Sequence, residues 1–160
     1  TAREQGEAPE EKVPELRQIK EQIRAEFATM SWENTGIGST IFAEKPGDGS
    51  AREQAASCQK VLGGWANIAR EYATKRYRSN LMNWGMLPFL FTEEQLPFTK
   101  GDYLYIPNIQ ESVKEGRSEL IAYVIKDGLV PFTLRLGEMT QDERTILLQG
   151  CLINYYKLSI

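Results

Sequence analysis

Ser39-Thr40-Ile41-Phe42-Ala43, then Lys45-Pro46-Gly47-Asp48-Gly49, then Ser50-Ala51-Arg52-Glu53-Gln54-Ala55-Ala56 is the stretch whose reading decides the fold. Its first part reads as a short strand with Ile41 and Phe42 at the centre. The middle part is a tight loop of Pro, Gly and Asp. From Ser50 to Val61 the residues suit a helix, which Leu62-Gly63-Gly64 stops. A strand that passes through a glycine loop into a helix is the building unit of an α/β domain, and such domains bind ligands at their strand ends. The glycines let a ligand come close to the backbone, so the main chain at Gly49 and Ala51 is a candidate contact. Ser50 is expected at the N-cap. The first helical turn leaves amide groups unpaired and favours anions. Arg52 adds a permanent positive charge. Together these residues describe a receptor for a carboxylate or phosphate, with a hydroxyl beside it. A plain capped turn, worth about 1 kcal/mol, uses the same residue types. No Gly-Lys-Ser/Thr follows, so the loop is not a Walker loop, and the glycine spacing is wrong for a dinucleotide fingerprint.

Before this stretch, Thr1–Glu10 reads as a flexible leader. From Glu11 the pattern is helical, with Val13, Leu16, Ile19, Ile23 and Phe27 in one apolar stripe and Pro14 in the first turn. After it, Trp65–Ala69 reads as a second strand and Arg70–Asn83 as a second helix. Met86–Phe91 is a third strand, where Pro88 suggests an edge or a bulge. Tyr103–Ile106 is strand-like. Leu120–Lys126 and Leu129–Leu136 form a hairpin around Asp127-Gly128, with Pro131 near an edge. Thr140-Gln141-Asp142-Glu143 matches a capping box that opens the last helix. That helix is expected to continue through Cys151–Leu158. The order predicts a mixed α/β domain over residues 11–160, with its best loop at a strand end.

Composition narrows the function. The chain has 160 residues, 41% of them hydrophobic, which suffices for one cored domain. A net charge of -3 disfavours nucleic-acid binding driven by phosphate neutralisation. No apolar run approaches the roughly 20 residues of a membrane span. The start lacks a signal-peptide pattern and an initiator Met, so a cytoplasmic protein and a fragment boundary are both expected. There is no histidine, and the two cysteines, Cys58 and Cys151, form no Cys-x-x-Cys pair. An internal metal or iron–sulfur site is therefore not expected. Two buried thiols in a reducing cytosol is the expected reading of the pair, with a disulfide as the alternative.

Several motifs resemble one family in the order that family has them. Gly49-Ser50-Ala51-Arg52-Glu53-Gln54-Ala55-Ala56 resembles the Gly-Ser-Ser-Arg-Glu-His-Ala-Ala motif of the aconitase and isopropylmalate isomerase family. Leu62-Gly63-Gly64 resembles its Leu-Gly-Gly. Arg76-Tyr77-Arg78-Ser79-Asn80-Leu81 followed by Trp84-Gly85-Met86-Leu87-Pro88-Phe89 resembles its helix with Ser-Asn-Leu and then its Gly-hydrophobic-Leu-Pro-Leu. The likeness runs from about Ile37 to the C-terminus. It implies an aconitase-type swivel domain, a mixed β-sheet flanked by helices, as one mobile part of a hydro-lyase.

The resemblance further implies that Ser50 is the base that removes a proton beside a substrate carboxylate. It makes Arg52 the carboxylate-binding residue. The substrate would be a hydroxy di- or tricarboxylate. A 4Fe–4S cluster would sit on partner domains, in the same chain or in a large subunit, and act as a Lewis acid. A serine can serve as base only where donors stabilise its developing charge. Ala51 stands where the family has a second serine, and Gln54 where it has histidine. These departures motivate a second reading, a carboxylate-binding or regulatory module without catalysis. Arg76 and Arg78 with Tyr72 and Tyr77 raise a weaker third, RNA binding as in the iron regulatory proteins. A helix face whose long side chains cover the core accounts for the same residues. Trp32, Trp65 and Trp84 are expected as core or interface anchors.

Overall fold

The computed structural model describes residues 9–157. The first eight positions of the expected leader lie outside those residues. Two short N-terminal helices, α1 (Pro9–Lys12) and α2 (Glu15–Glu26), precede β1 (Ser39–Ala43). There follow α3 (Arg52–Val61), β2 (Gly64–Ala69), α4 (Lys75–Asn83) and β3 (Leu87–Leu90). Then come β4 (Tyr103–Tyr105), α5 (Ile109–Glu115), the hairpin of β5 (Glu119–Ile125) and β6 (Leu129–Leu136), α6 (Gln141–Leu148) and α7 (Leu152–Lys157). The strands form one mixed six-stranded sheet in the order β1-β2-β3-β6-β5-β4. The expected mixed α/β architecture is therefore the observed one.

β1, β2 and β3 run parallel, with Ile41 opposite Asn67 and Asn67 opposite Pro88. β6 joins β3 antiparallel, and β4 joins β5 antiparallel. The parallel half is made by two strand–helix–strand crossovers, through α3 and α4. Their connecting loops collect at the C-terminal ends of β1 and β2.

The chain divides into two compact units. One takes the described residues up to Ile37 with Leu96–Tyr105 and Ala122–Phe132. Its core gathers Leu16, Ile23, Met30, Trp32 and Ile125, with Phe27 and Tyr105 packed against them. The other takes Gly38–Gln95, Ile106–Ile121 and the described residues from Thr133 on. Here Ala56, Tyr77, Leu81 and Met86 cluster. Ile68, Phe89, Leu134 and Leu136 are fully buried as well.

Several sequence expectations need correction. β3 and β6 are internal strands, so Pro88 and Pro131 do not mark edges of the sheet. The β3–β6 ladder comprises only Phe89 with Leu136 and Leu90 with Arg135. Both prolines lie outside that ladder, where a missing N–H costs no bond between these two strands. α4 begins at Lys75, not Arg70, because Thr74 is extended (φ −144°, ψ 146°) and caps it. The last helix does not run on from Thr140 to the end. Gly150 (φ +87°) breaks it into α6 and α7. α5 is an element that the sequence pattern did not announce. The Thr140 capping box is present, with Thr140 N–H donating to Glu143 Oε2 at 2.8 Å and Glu143 N–H to Thr140 Oγ1 at 3.2 Å.

Candidate functional site

β1 ends at Ala43, and the chain then runs beside the segment that leaves β2. Backbone bonds link the two: Arg70 N–H to Ala43 O at 3.4 Å, Glu71 N–H to Glu44 O at 3.0 Å, and Ala73 N–H to Pro46 O at 2.9 Å. The Thr74 hydroxyl donates to Gly47 O at 3.2 Å and accepts from Tyr77 N–H at 3.2 Å. One side chain thus ties the loop to the first turn of α4. Gly47 needs to be glycine twice over. Its φ of +96° is disfavoured for side chains, and an added Cβ would meet the Tyr77 ring. Gly49 differs: nothing lies within 4 Å of where its Cβ would be. The open space there suits a close ligand.

α3 starts at Arg52 with Ala51 in the cap position (φ −87°, ψ 49°), without a side-chain cap bond. The expectation that Ser50 caps this helix is therefore wrong. Ser50 sits one residue too early, exposed in the bend, and its hydroxyl makes no hydrogen bond among the described residues. The first intrahelical bond joins Ala55 N–H to Ala51 O at 3.0 Å. The amides of Arg52, Glu53 and Gln54 precede it, so the positive end of α3 is available to an anion.

Arg52 is half-buried, and its Nε is buried without a hydrogen-bond partner. No ion pair neutralises it among the described residues. Ser50 and the Gly49–Ala51 backbone thus lie in the loop that leads into α3, and Arg52 is the first residue of that helix. Gln54 is exposed beside them. The arrangement can hold a carboxylate and offers an uncommitted hydroxyl within the same loop.

Sequence reasoning missed the residues that hold this loop. The Tyr77 hydroxyl lies 3.0 Å from Asn67 Nδ2 and 3.2 Å from Gln59 Nε2. The Tyr72 hydroxyl is 3.0 Å from Phe89 O and 3.2 Å from Asn67 O. Burial first, then the neighbouring Tyr77, push the Tyr72 phenol far above its ordinary ionisation range. Trp84 Nε1 donates to Glu53 Oε1 at 2.9 Å, which fastens the first turn of α3 to the end of α4. A Thr three residues before a buried aromatic was the one sequence signal of Thr74 as a cap.

Arg78 donates to the carbonyls of Gly137 at 3.2 Å and Glu138 at 2.9 Å, so it is a structural pin within its unit. Cys58 is exposed, which corrects the expectation of two packed thiols, and both cysteines are free. Trp32 is buried, Trp84 half-buried, and Trp65 46% exposed. Among the described residues, no three His, Cys, Asp or Glu side chains are grouped to hold a metal ion. These residues do not fit an iron–sulfur cluster.

A glycine loop between a parallel strand and a helix, with a hydroxyl and a guanidinium that have no partner among the described residues, is what the chain presents here. The family model described as the aconitase C-terminal domain matches residues 4–94. The chain belongs to that family. It is 31% identical to "Homocitrate dehydratase, mitochondrial" of Saccharomyces cerevisiae over 133 residues, 79% of this chain and 17% of that protein. It is 39% identical to "Aconitate hydratase A" of Rickettsia bellii over 72 residues, 44% of this chain and 8% of that protein. The chain thus spans less than a fifth of the length of these relatives. No helix among the described residues is long and apolar enough to cross a membrane.

Proposed function

We propose that residues 11–160 are the swivel domain of an aconitase-like hydro-lyase. The domain supplies Ser50 as base and Arg52 as carboxylate anchor for reversible dehydration of a hydroxy di- or tricarboxylic acid. The observation that carries this reading is an Arg52 side chain without a partner, two residues on from an unbonded Ser50 hydroxyl, both inside the range that the family model matches. Arg52 would hold one substrate carboxylate through paired N–H donors. The amides at the start of α3 would add their positive end. Ser50 Oγ would then take the proton from the carbon beside that carboxylate. A hydroxyl already used as a helix cap would have its oxygen engaged. Ser50 does not, and the Arg52 charge can stabilise the alkoxide it must become.

A 4Fe–4S cluster belongs, on this reading, to further domains in the same polypeptide or a large subunit. The names of both relatives describe dehydration or hydration of such acids, which supports the substrate class. Two free cysteines support a reducing compartment, the cytoplasm being our assignment.

The test uses the intact polypeptide or assembled subunits. Ser50→Ala should lower kcat by about 10²- to 10⁴-fold, the range for loss of a positioned base. Arg52→Lys, which cannot form the paired contact, should raise KM about tenfold. Unchanged kcat in Ser50→Ala would remove the serine from the reaction.

A second reading, a carboxylate-binding module without catalysis, draws on the Ala51 cap position, where no side chain serves the site. It requires an inactive intact protein that still binds citrate-like acids through Arg52.

A further inference from the structure

We infer that Tyr77 is the positioning residue of this loop, setting both the height of Gly47 and the rotation of the helix that carries Arg52. The inference rests on the functional reading above and deepens it. Tyr77 is 2% exposed, on α4, and touches none of the candidate catalytic groups by a recorded bond. Its ring occupies the space that a Cβ on Gly47 would need. Its N–H is held by Thr74 Oγ1, whose hydroxyl holds Gly47 O. The loop that leads to Ser50 therefore lies on one face of this tyrosine and is bonded to its cap.

The other end of the side chain reaches α3. Arg52, Ala56 and Gln59 follow the i, i+4, i+7 spacing, so they share one stripe of that helix. Ala56 is fully buried in the cluster that contains Tyr77. Gln59 Nε2 meets the Tyr77 hydroxyl at 3.2 Å, and Asn67 Nδ2 of β2 meets the same oxygen at 3.0 Å. One hydroxyl thus bridges the Arg52 stripe of α3 to the middle of the sheet. A turn of α3 about its axis would break that bridge and swing Arg52 away from its place.

The polar accounting supports a directional role. Asn67 is 1% exposed. Its Oδ1 and the Gln59 Oε1 are both buried without a partner. A phenol hydroxyl can accept one bond and donate another. With either amide turned about, the hydroxyl accepts from one and donates to the other, and one of the two orphaned oxygens gains a partner. Removing the hydroxyl leaves both amides without it, and the Gln59 side chain has no other recorded hydrogen bond among the described residues.

The experiment replaces Tyr77 by Phe in the intact enzyme, keeping the ring under Gly47. KM for the acid substrate should rise about tenfold or more, with a smaller change in kcat, because a displaced carboxylate anchor weakens substrate binding first. Gln59→Met should give the same shift alone, and the double variant should be no worse than twofold beyond either single one. Amide hydrogen exchange across residues 47–54 should quicken in both single variants. Should Tyr77→Phe not fold, Gln59→Met carries the same readouts. Unchanged KM and exchange, in a protein whose Ser50→Ala variant has lost turnover, would overturn the positioning role and leave the functional reading intact. If Ser50→Ala keeps full activity, the functional reading fails, and exchange over 47–54 alone decides whether Tyr77 positions the loop.

Discussion

Gly47 and Gly49 are two residues apart and do opposite things. Gly47 has φ +96° with the Tyr77 ring in its Cβ direction, whereas Gly49 is outside the positive-φ set and has open space around it. Gly47→Ala should therefore destabilise the domain, by about 1–3 kcal/mol for the backbone strain alone. Gly49→Ala should leave stability unchanged or raise it by up to about 1 kcal/mol, since a compatible Gly→Ala removes unfolded-state freedom. On the proposed reading, the same Gly49→Ala in the intact polypeptide should raise KM, because the methyl group enters open space beside the Ser50–Arg52 segment. Urea unfolding and steady-state kinetics on the pair separate the two roles. A stability loss at Gly49 equal to that at Gly47 would refute the assignment. At this scale the sequence was informative about residue type and poor about position. It marked Ser50 and Arg52, which the structure puts before the N-cap and at the first position of α3. It misjudged Ser50 as a cap, because a Ser before a helix is chemically suited to capping whether or not its backbone enters the helix. It misjudged Cys58 because a place inside a helix says nothing about which side faces in. Cys58 is two positions beyond the buried Ala56, about 200° around the helix, and so faces solvent.

Elements whose signals are local were legible: the strand β1, the crossover through α3 and the Thr140 capping box. α5 was not, because it is short, starts from Asn108 in the left-handed region (φ 52°), and buries only Ser112 and Val113. So few buried positions make no periodic stripe. Pro88 and Pro131 misled for another reason. Where a ladder stops is a property of two strands together, not of the proline's own neighbours. The β2–β3 pair carries a pH-dependent tie that the sequence did not mark. The Tyr72 hydroxyl bridges Asn67 O and Phe89 O, and burial holds its ionisation far above the usual phenol value. A folded pKa above the unfolded one means the contribution is whole below about pH 10 and is lost as pH rises past it. Above that pH the unfolded chain releases a proton that the folded one retains. Stability should fall by up to about 1.4 kcal/mol per pH unit from this group. Tyr72→Phe should flatten that alkaline limb in urea titrations between about pH 9 and 11. An identical slope in the variant would assign the loss elsewhere.

At the scale of the molecule, each compact unit has a buried cluster of its own, so the chain has the apolar material to fold without the rest of its relatives' length. Folding is not the same as turnover. The described residues gather a hydroxyl, a guanidinium and a helix start, and they gather no group able to hold a metal ion. A base alone does not expel a hydroxyl from a saturated carbon at neutral pH at a useful rate. The missing electrophile must come from outside this loop on the proposed reading. The purified 160-residue chain should therefore show no dehydration of citrate, homocitrate or isopropylmalate while giving a cooperative unfolding transition. Adding the cluster-bearing domains in trans should restore activity that saturates with their concentration, and Ser50→Ala in the added chain should abolish that restoration. Turnover by the isolated chain would overturn the division of labour between base and electrophile. A cooperative fold with activity restored equally by the Ser50→Ala chain would instead show that the domain closes the site without supplying the base.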